Sequence, residues 1–134
     1  MMDPRSQYKS TQATSWTRID MLLHIYDHAI CALKAGMQAL DRNESLDSGS
    51  LRRDAQTRVM LIVEGLDLKQ GEVPQNIMRI CTHILDVACR DDACEWERCA
   101  SLLEVIRSGF AEVQDEARQA EADGAIPPLE FAAT

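Results

Sequence analysis

The sequence contains few of the residues that build β-sheets or interrupt helices. Aromatic residues make up only 4% of its 134 residues, and there are just four prolines and six glycines. Aromatic and β-branched residues favour strands, whereas Ala, Leu, Glu and Arg favour helices. Because 46% of the residues are hydrophobic, the chain can still bury a core. The composition therefore predicts one all-α domain.

The chain also lacks a basic surplus and a long apolar run. Its formal net charge is −8, whereas nucleic-acid binders normally present a basic face. Its longest strictly apolar run, residues 59–63, is too short to cross a bilayer, and the first residues have no apolar core like that of a signal peptide. We therefore expect a cytoplasmic protein that neither binds nucleic acid nor inserts into a membrane.

The cysteines are odd in number, which does not suit a disulfide framework in a chain without a secretory signal. The five are Cys31, Cys81, Cys89, Cys94 and Cys99. The last three are spaced by five, which is not a zinc-ligand spacing. Cys81 and Cys99 fall on apolar helical stripes, where cysteine acts as a small hydrophobic residue. We expect core positions for these two, and no metal or cofactor.

The histidines leave one alternative function open. His24 and His28 lie one helical turn apart, but residue 25 is Ile, so the glutamate of a zincin motif is absent. A histidine phosphotransfer domain of a phosphorelay is also a small acidic helical bundle, and His28 or His83 would be its reactive residue. Neither is followed by the small-residue and lysine signature that such a domain needs. The sequence shows no nucleophile–base pair or glycine-rich phosphate loop, so we do not expect an enzyme.

Apolar residues recur at steps of three and four over most of the chain, which predicts helices. Thr17 and Asp20 form a capping-box pair at the first, and Gly71 is a stop signal after the second. The predicted helices run from about Thr17 to Leu40, Leu51 to Leu68, Pro74 to Cys89, and Asp91-Asp92 to Ala122. Short connections between long helices predict an antiparallel up-down-up-down four-helix bundle over residues 17–122. Residues 1–16 should form a flexible arm, and residues 123–134 a tail containing Pro127 and Pro128.

Several segments, in this order, resemble the flagellar export chaperone family FliS. They are Tyr8 on a Thr-Gln arm, the Leu22–Ile30 run, Leu66–Glu72, Asn76–Ile80, and Leu102–Arg107 followed by Phe110. Cys81 and His83 stand where the family usually has a Tyr-x-Tyr pair, and His28 replaces a usual glycine. The chain therefore resembles a divergent member of the family.

The resemblance implies a chaperone that binds the C-terminal segment of flagellin, prevents its premature polymerisation and keeps it competent for flagellar type III export. It implies no nucleotide, and it adds the export apparatus as a second partner. We expect a monomer or a weak homodimer. By the same resemblance, the arm carrying Tyr8 should cover part of the empty cargo site.

Apolar residues off the main stripes indicate where a partner binds, because a helix that is apolar on more than one side needs a second covering surface. A short fifth helix or the chain's own tail would cover it equally well. The predicted partner-binding residues lie on the arm, off the main stripes and on the neighbouring helix faces. They are Tyr8, Tyr26, Met60, Leu61, Leu66, Ile77, Met78 and Ile80.

Overall fold

The computed structural model describes residues 17–47 and 49–125, all of which lie in helices, turns or connecting segments. The helices are α1 (Arg18–Asp41), α2 (Leu51–Glu64), α3 (Glu72–Val87), α4 (Ala93–Glu112) and α5 (Gln114–Ala122), with a 3₁₀ turn at Leu68–Gln70. The all-α class is confirmed, while the up-down-up-down bundle stays a prediction. The predictions for the arm, including Tyr8, and for the tail beyond residue 125 concern residues outside those that the structure describes.

The predicted capping box at the start of α1 is confirmed. The Thr17 backbone N–H donates to Asp20 Oδ2 at 3.1 Å, and the Thr17 hydroxyl donates to the same oxygen at 2.9 Å. In return, the Asp20 N–H donates to Thr17 Oγ1 at 3.5 Å. The first backbone donors of a helix have no partner within it, so this exchange fixes where α1 begins.

Helix α2 ends at Glu64, before the predicted end at Leu68. Gly65 has a low helix propensity, and the Asp67 carboxylate accepts the Lys69 N–H at 3.1 Å, a local bond that competes with the helix. A 3₁₀ turn follows, and Gly71 then adopts φ +107°, a conformation that side chains disfavour. The predicted glycine stop therefore separates the 3₁₀ turn from α3.

The prediction of one continuous helix from Asp91-Asp92 to Ala122 is wrong. Val113 leaves the helical region at φ −103°, ψ 12°, and its N–H bonds to the Phe110 carbonyl at 3.2 Å. The chain restarts as α5, in which Gln114 and Arg118 bind the Asp20 side chain. The apolar stripe continues in sequence through Val113 and Ala117, but polar contacts replace apolar packing after the break.

The described chain divides into two compact units. The larger, Ile25–Ser108, holds the largest fully buried side chains, which are Trp96, Tyr26, Leu33, Ile84, Leu103, Val59, Val87, Cys81 and Cys99. In the smaller unit, described over residues 17–24 and 109–125, Ile19 and Leu23 are buried.

Within the larger unit, α1 and α4 run antiparallel. Asp27 pairs with Arg107 at 2.6 Å and Lys34 pairs with Glu104 at 2.5 Å, so residue numbers rise along one helix as they fall along the other. Further along, Gly36 faces the Trp96 ring so closely that a Cβ on Gly36 would stand 2.7 Å from Trp96 Cε3. A glycine is therefore required for the two helices to approach at this level.

Helices α2 and α3 pack together as an antiparallel hairpin. Near the start of α2, the Arg52 guanidinium donates to the Ala88 carbonyl at 2.6 Å and also pairs with Asp47 and Asp91. One turn later, Gln56 lies 3.9 Å from the Cys89 sulfur. The start of α2 is thus held at the end of α3, and the chain between Gly65 and Gly71 forms the turn of the hairpin.

Candidate functional site

Large hydrophobic side chains are exposed where the α2–α3 hairpin turns. Met60 and Leu61 near the end of α2 are 40% and 39% exposed, and Leu68 and Val73 beyond them are 43% and 64% exposed. We call these four residues the hairpin-turn surface. They stand out because the chain is strongly acidic, with a formal net charge of −8, and exposed large apolar side chains are candidates for contact with a partner.

Local hydrogen bonds hold this turn in shape. Asp67 accepts the Lys69 N–H and, at 3.3 Å, the Gln70 side chain. Gln75, in the first turns of α3, donates to the Leu68 carbonyl at 3.2 Å. Leu68 is therefore presented to solvent by a turn that is bonded both internally and to α3.

A second apolar feature is a groove of about 620 Å³ that involves α3 and α4. Its lining residues are His83, Cys94, Glu97, Arg98, Ser101, Leu102 and Val105. Leu102 and Val105 are 39% and 72% exposed and make the groove apolar on one side. We call it the α3–α4 groove.

Charged and titratable side chains occupy the other part of the α3–α4 groove. In the part of the chain that the structure describes, the side chains of His83, Glu97 and Arg98 make no hydrogen bond or ion pair. Unpaired charges of both signs beside an apolar strip suit the polar edge of an amphipathic partner, where charges select among partners more than they add affinity.

The sequence-predicted partner residues fall into two groups. Met60 and Leu61 are exposed, and Leu66, Met78 and Ile80 are partly exposed. Tyr26 and Ile77 are 1% and 5% exposed, so each packs in the core of the described structure. Burial also raises the pKa of the Tyr26 hydroxyl, which keeps it neutral. A partner-binding role for any of these residues stays a prediction.

Sequence reasoning missed Leu68, Val73, Leu102 and Val105. The signal was present, because Leu102 and Val105 lie off the stripe formed by Trp96, Cys99 and Leu103. The criterion that selected Met60 and Leu61 on α2 would have selected these two on α4 as well. Leu68 and Val73 carried no such signal, since their exposure depends on the turn.

The buried cysteines support the core interpretation. Cys81 and Cys99 are fully buried, and burial raises the pKa of each thiol to about 11. Such thiols stay protonated at neutral pH and are poor nucleophiles and poor metal ligands. Among residues 17–47 and 49–125, no three His, Cys, Asp or Glu side chains are grouped so as to hold a metal ion.

None of the helices formed by the described residues combines the length and apolarity needed to cross a membrane. His28 and His83 are both exposed, as the phosphotransfer alternative requires, but exposure alone does not distinguish a reactive histidine from any surface histidine.

Comparison with known proteins identifies a family to which most of the chain matches. A family model described as "Flagellar protein FliS" matches residues 1–117, which is most of the chain. Searches of curated proteins and of solved structures found no match.

Proposed function

Since the chain belongs to the FliS family of flagellar chaperones, we propose that it binds the C-terminal segment of flagellin before export. It thereby prevents premature polymerisation and keeps the cargo competent for type III secretion. In the same proposal it acts in the cytoplasm without catalysing a reaction, needs no cofactor, hands its cargo to the export apparatus and is a monomer or a weak homodimer.

The observation that carries this proposal is the exposed apolar surface on α2, α3 and α4. An acidic chain presents Met60, Leu61, Leu68 and Val73 around one turn, and Leu102 and Val105 along one groove. Contiguous exposed apolar patches mark interaction sites in small soluble domains. A segment with an amphipathic helical face is the partner that such a surface suits, because it exchanges its own exposed apolar face for burial.

Helix α3 connects the two features. Val73, Ile80 and His83 are separated by seven and three positions, so they share one face of α3. Val73 belongs to the hairpin-turn surface and His83 lines the α3–α4 groove. We therefore place the cargo along this face of α3, with Leu102 and Val105 beside it and Met60 and Leu61 at the turn end.

Single charge substitutions test this placement. Leu61→Glu and Val105→Glu should each weaken binding of a synthetic flagellin C-terminal peptide by roughly tenfold or more, because each loses an apolar contact and buries a charge. Thr57→Glu is the matched control, since it adds the same charge to an exposed position one turn before Leu61. Titration calorimetry measures the affinities, and circular dichroism checks that helicity is unchanged.

Equal affinities for the wild type and all three variants would place the cargo elsewhere on the chain. Equal losses in all three would mean that added negative charge, and not the apolar surface, controls binding. Loss in Leu61→Glu alone would confine the cargo to the hairpin-turn surface.

A further inference from the structure

Helix α5 contributes almost nothing to an apolar core. None of its nine residues is buried, and the partly covered ones are Gln114, Ala117, Ala120 and Glu121. Two alanines and two polar side chains bury little apolar area, so the hydrophobic effect adds little to the docking of this helix. Its position must depend on polar contacts.

Those contacts converge on the first turn of α1. Asp20 Oδ1 accepts from Gln114 Nε2 at 3.0 Å and from Arg118 at 3.0 Å through Nε and 2.6 Å through Nη2. One turn further along α5, Glu121 Oε2 accepts the Arg18 backbone N–H at 3.0 Å. The Asp20 side chain is only 17% exposed, so its charge is screened less than that of a surface carboxylate.

The two oxygens of Asp20 serve two different elements. Oδ2 completes the capping box with Thr17, and Oδ1 anchors α5 through Gln114 and Arg118. Hydrogen bonds to a charged acceptor are stronger than those to a neutral one, and this carboxylate accepts several. The same carboxylate therefore helps to set where α1 begins and whether α5 stays docked.

We propose that α5 is a detachable strap, held to the first turn of α1 through Asp20, and that its release loosens the start of α1 while the remainder of the chain stays folded. The break at Val113 supplies the hinge, because helical hydrogen bonding is interrupted there. The residues that hold the strap, Asp20, Gln114 and Arg118, are not among those of the proposed cargo site. It is controlled by ionic strength, since its contacts are charged and its apolar contribution is small.

Hydrogen–deuterium exchange on the full chain tests the strap. At low salt, Arg118→Gln should raise exchange in α5 by roughly threefold to tenfold, which is the range for loss of a partly exposed charge pair in which two nitrogens donate to one oxygen. Exchange should also rise at the amides of residues 18–21, while α2 and α3 stay unchanged. Arg58→Gln is the matched control, because it removes an ion pair with Asp54 on α2 instead.

Raising NaCl to about 1 M, where the screening length is about 3 Å, should speed α5 exchange in the wild type and leave Arg118→Gln unaffected. The strap is overturned if α5 in the wild type exchanges as fast as an unfolded peptide, or if Arg118→Gln leaves α5 unchanged. It is also overturned if α2 and α3 loosen as much as α5, because release would then be global unfolding.

Discussion

The two compact units differ in the forces that stabilise each of them internally. In Ile25–Ser108, Trp96, Tyr26 and Leu33 are fully buried, and packing determines how close α1 and α4 come. At the end of the smaller unit, α5 buries no residue and is attached by Asp20, Gln114 and Arg118. Apolar packing depends little on salt, and disturbing it lowers the stability substantially. A charged attachment contributes little to stability and weakens as the salt concentration rises. A small protein can therefore open at one place while its core remains intact.

The largest expected effect comes from removing the indole at the centre of the larger unit. Trp96 is fully buried and its Nε1 donates to the Arg90 carbonyl at 2.8 Å. Trp96→Ala should lower the free energy of unfolding by about 3 to 5 kcal/mol, because it creates a cavity and leaves that carbonyl without its partner. Denaturant unfolding measures this loss. If the variant does not fold, Trp96→Phe should show a smaller loss of about 1 to 3 kcal/mol. A loss that shrank in high salt would contradict a core held by packing.

The same substitution at two helical glycines sharpens the comparison. Gly36 lies against the Trp96 ring, whereas nothing lies within 4 Å of a Cβ placed on Gly109. Gly36→Ala should destabilise by about 1 to 3 kcal/mol through overpacking, although alanine has the better helix propensity. Gly109→Ala should instead stabilise by up to about 1 kcal/mol. Thermal unfolding of both variants measures the two effects. Effects of the same sign would show that steric closeness does not separate these two positions.

Lowering the pH should have the smallest effect on stability, and it tests the contacts of Asp20 alone. Partial burial raises the pKa of Asp20, but the hydrogen bonds from Arg118, Gln114 and Thr17 outweigh it and hold this pKa well below its usual range. A carboxylate with a lowered pKa stabilises the folded state above its unfolded value, about 3.9, and loses that contribution as the pH falls further. The stability difference between the wild type and Asp20→Asn should therefore be under about 1 kcal/mol at pH 6 and shrink below pH 4. A difference that grew in acid would mean that the carboxylate is not stabilised by these partners.

Local signals in the sequence were sufficient for much of the fold. The Thr17–Asp20 pair placed the start of α1, and the glycine at position 71 marked the stop before α3, because both act through their immediate neighbours. The apolar stripes correctly placed Cys81 and Cys99 in the core. The break at Val113 was missed because the apolar stripe continues through it in the sequence, and the contacts that follow it are made with Asp20, which is distant in sequence.

Less of the candidate site than of the fold could be predicted from the sequence. Periodicity shows that a residue is apolar, but it does not show which faces pair with each other. Tyr26 and Ile77 therefore could not be distinguished from Met60 and Leu61, although the first two are buried and the last two are exposed. The exposure of Leu68 and Val73 depends on a 3₁₀ turn set by Asp67 and Gly71. The α3–α4 groove requires two helices to be positioned together, which no single stripe specifies.

The close approach of Gly36 to Trp96 also limits which helices could take the place of α1 beside α4. Any amphipathic helix has an apolar stripe and could, on that basis alone, compete with α1 for its place beside α4. The Trp96 ring, however, occupies the space that a Cβ would need at this level. An invading helix fits only if it carries glycine opposite the indole, and it is rejected sterically otherwise. Under the proposed function, a residue without a side chain would thus make it harder for a cargo helix to take the place of α1.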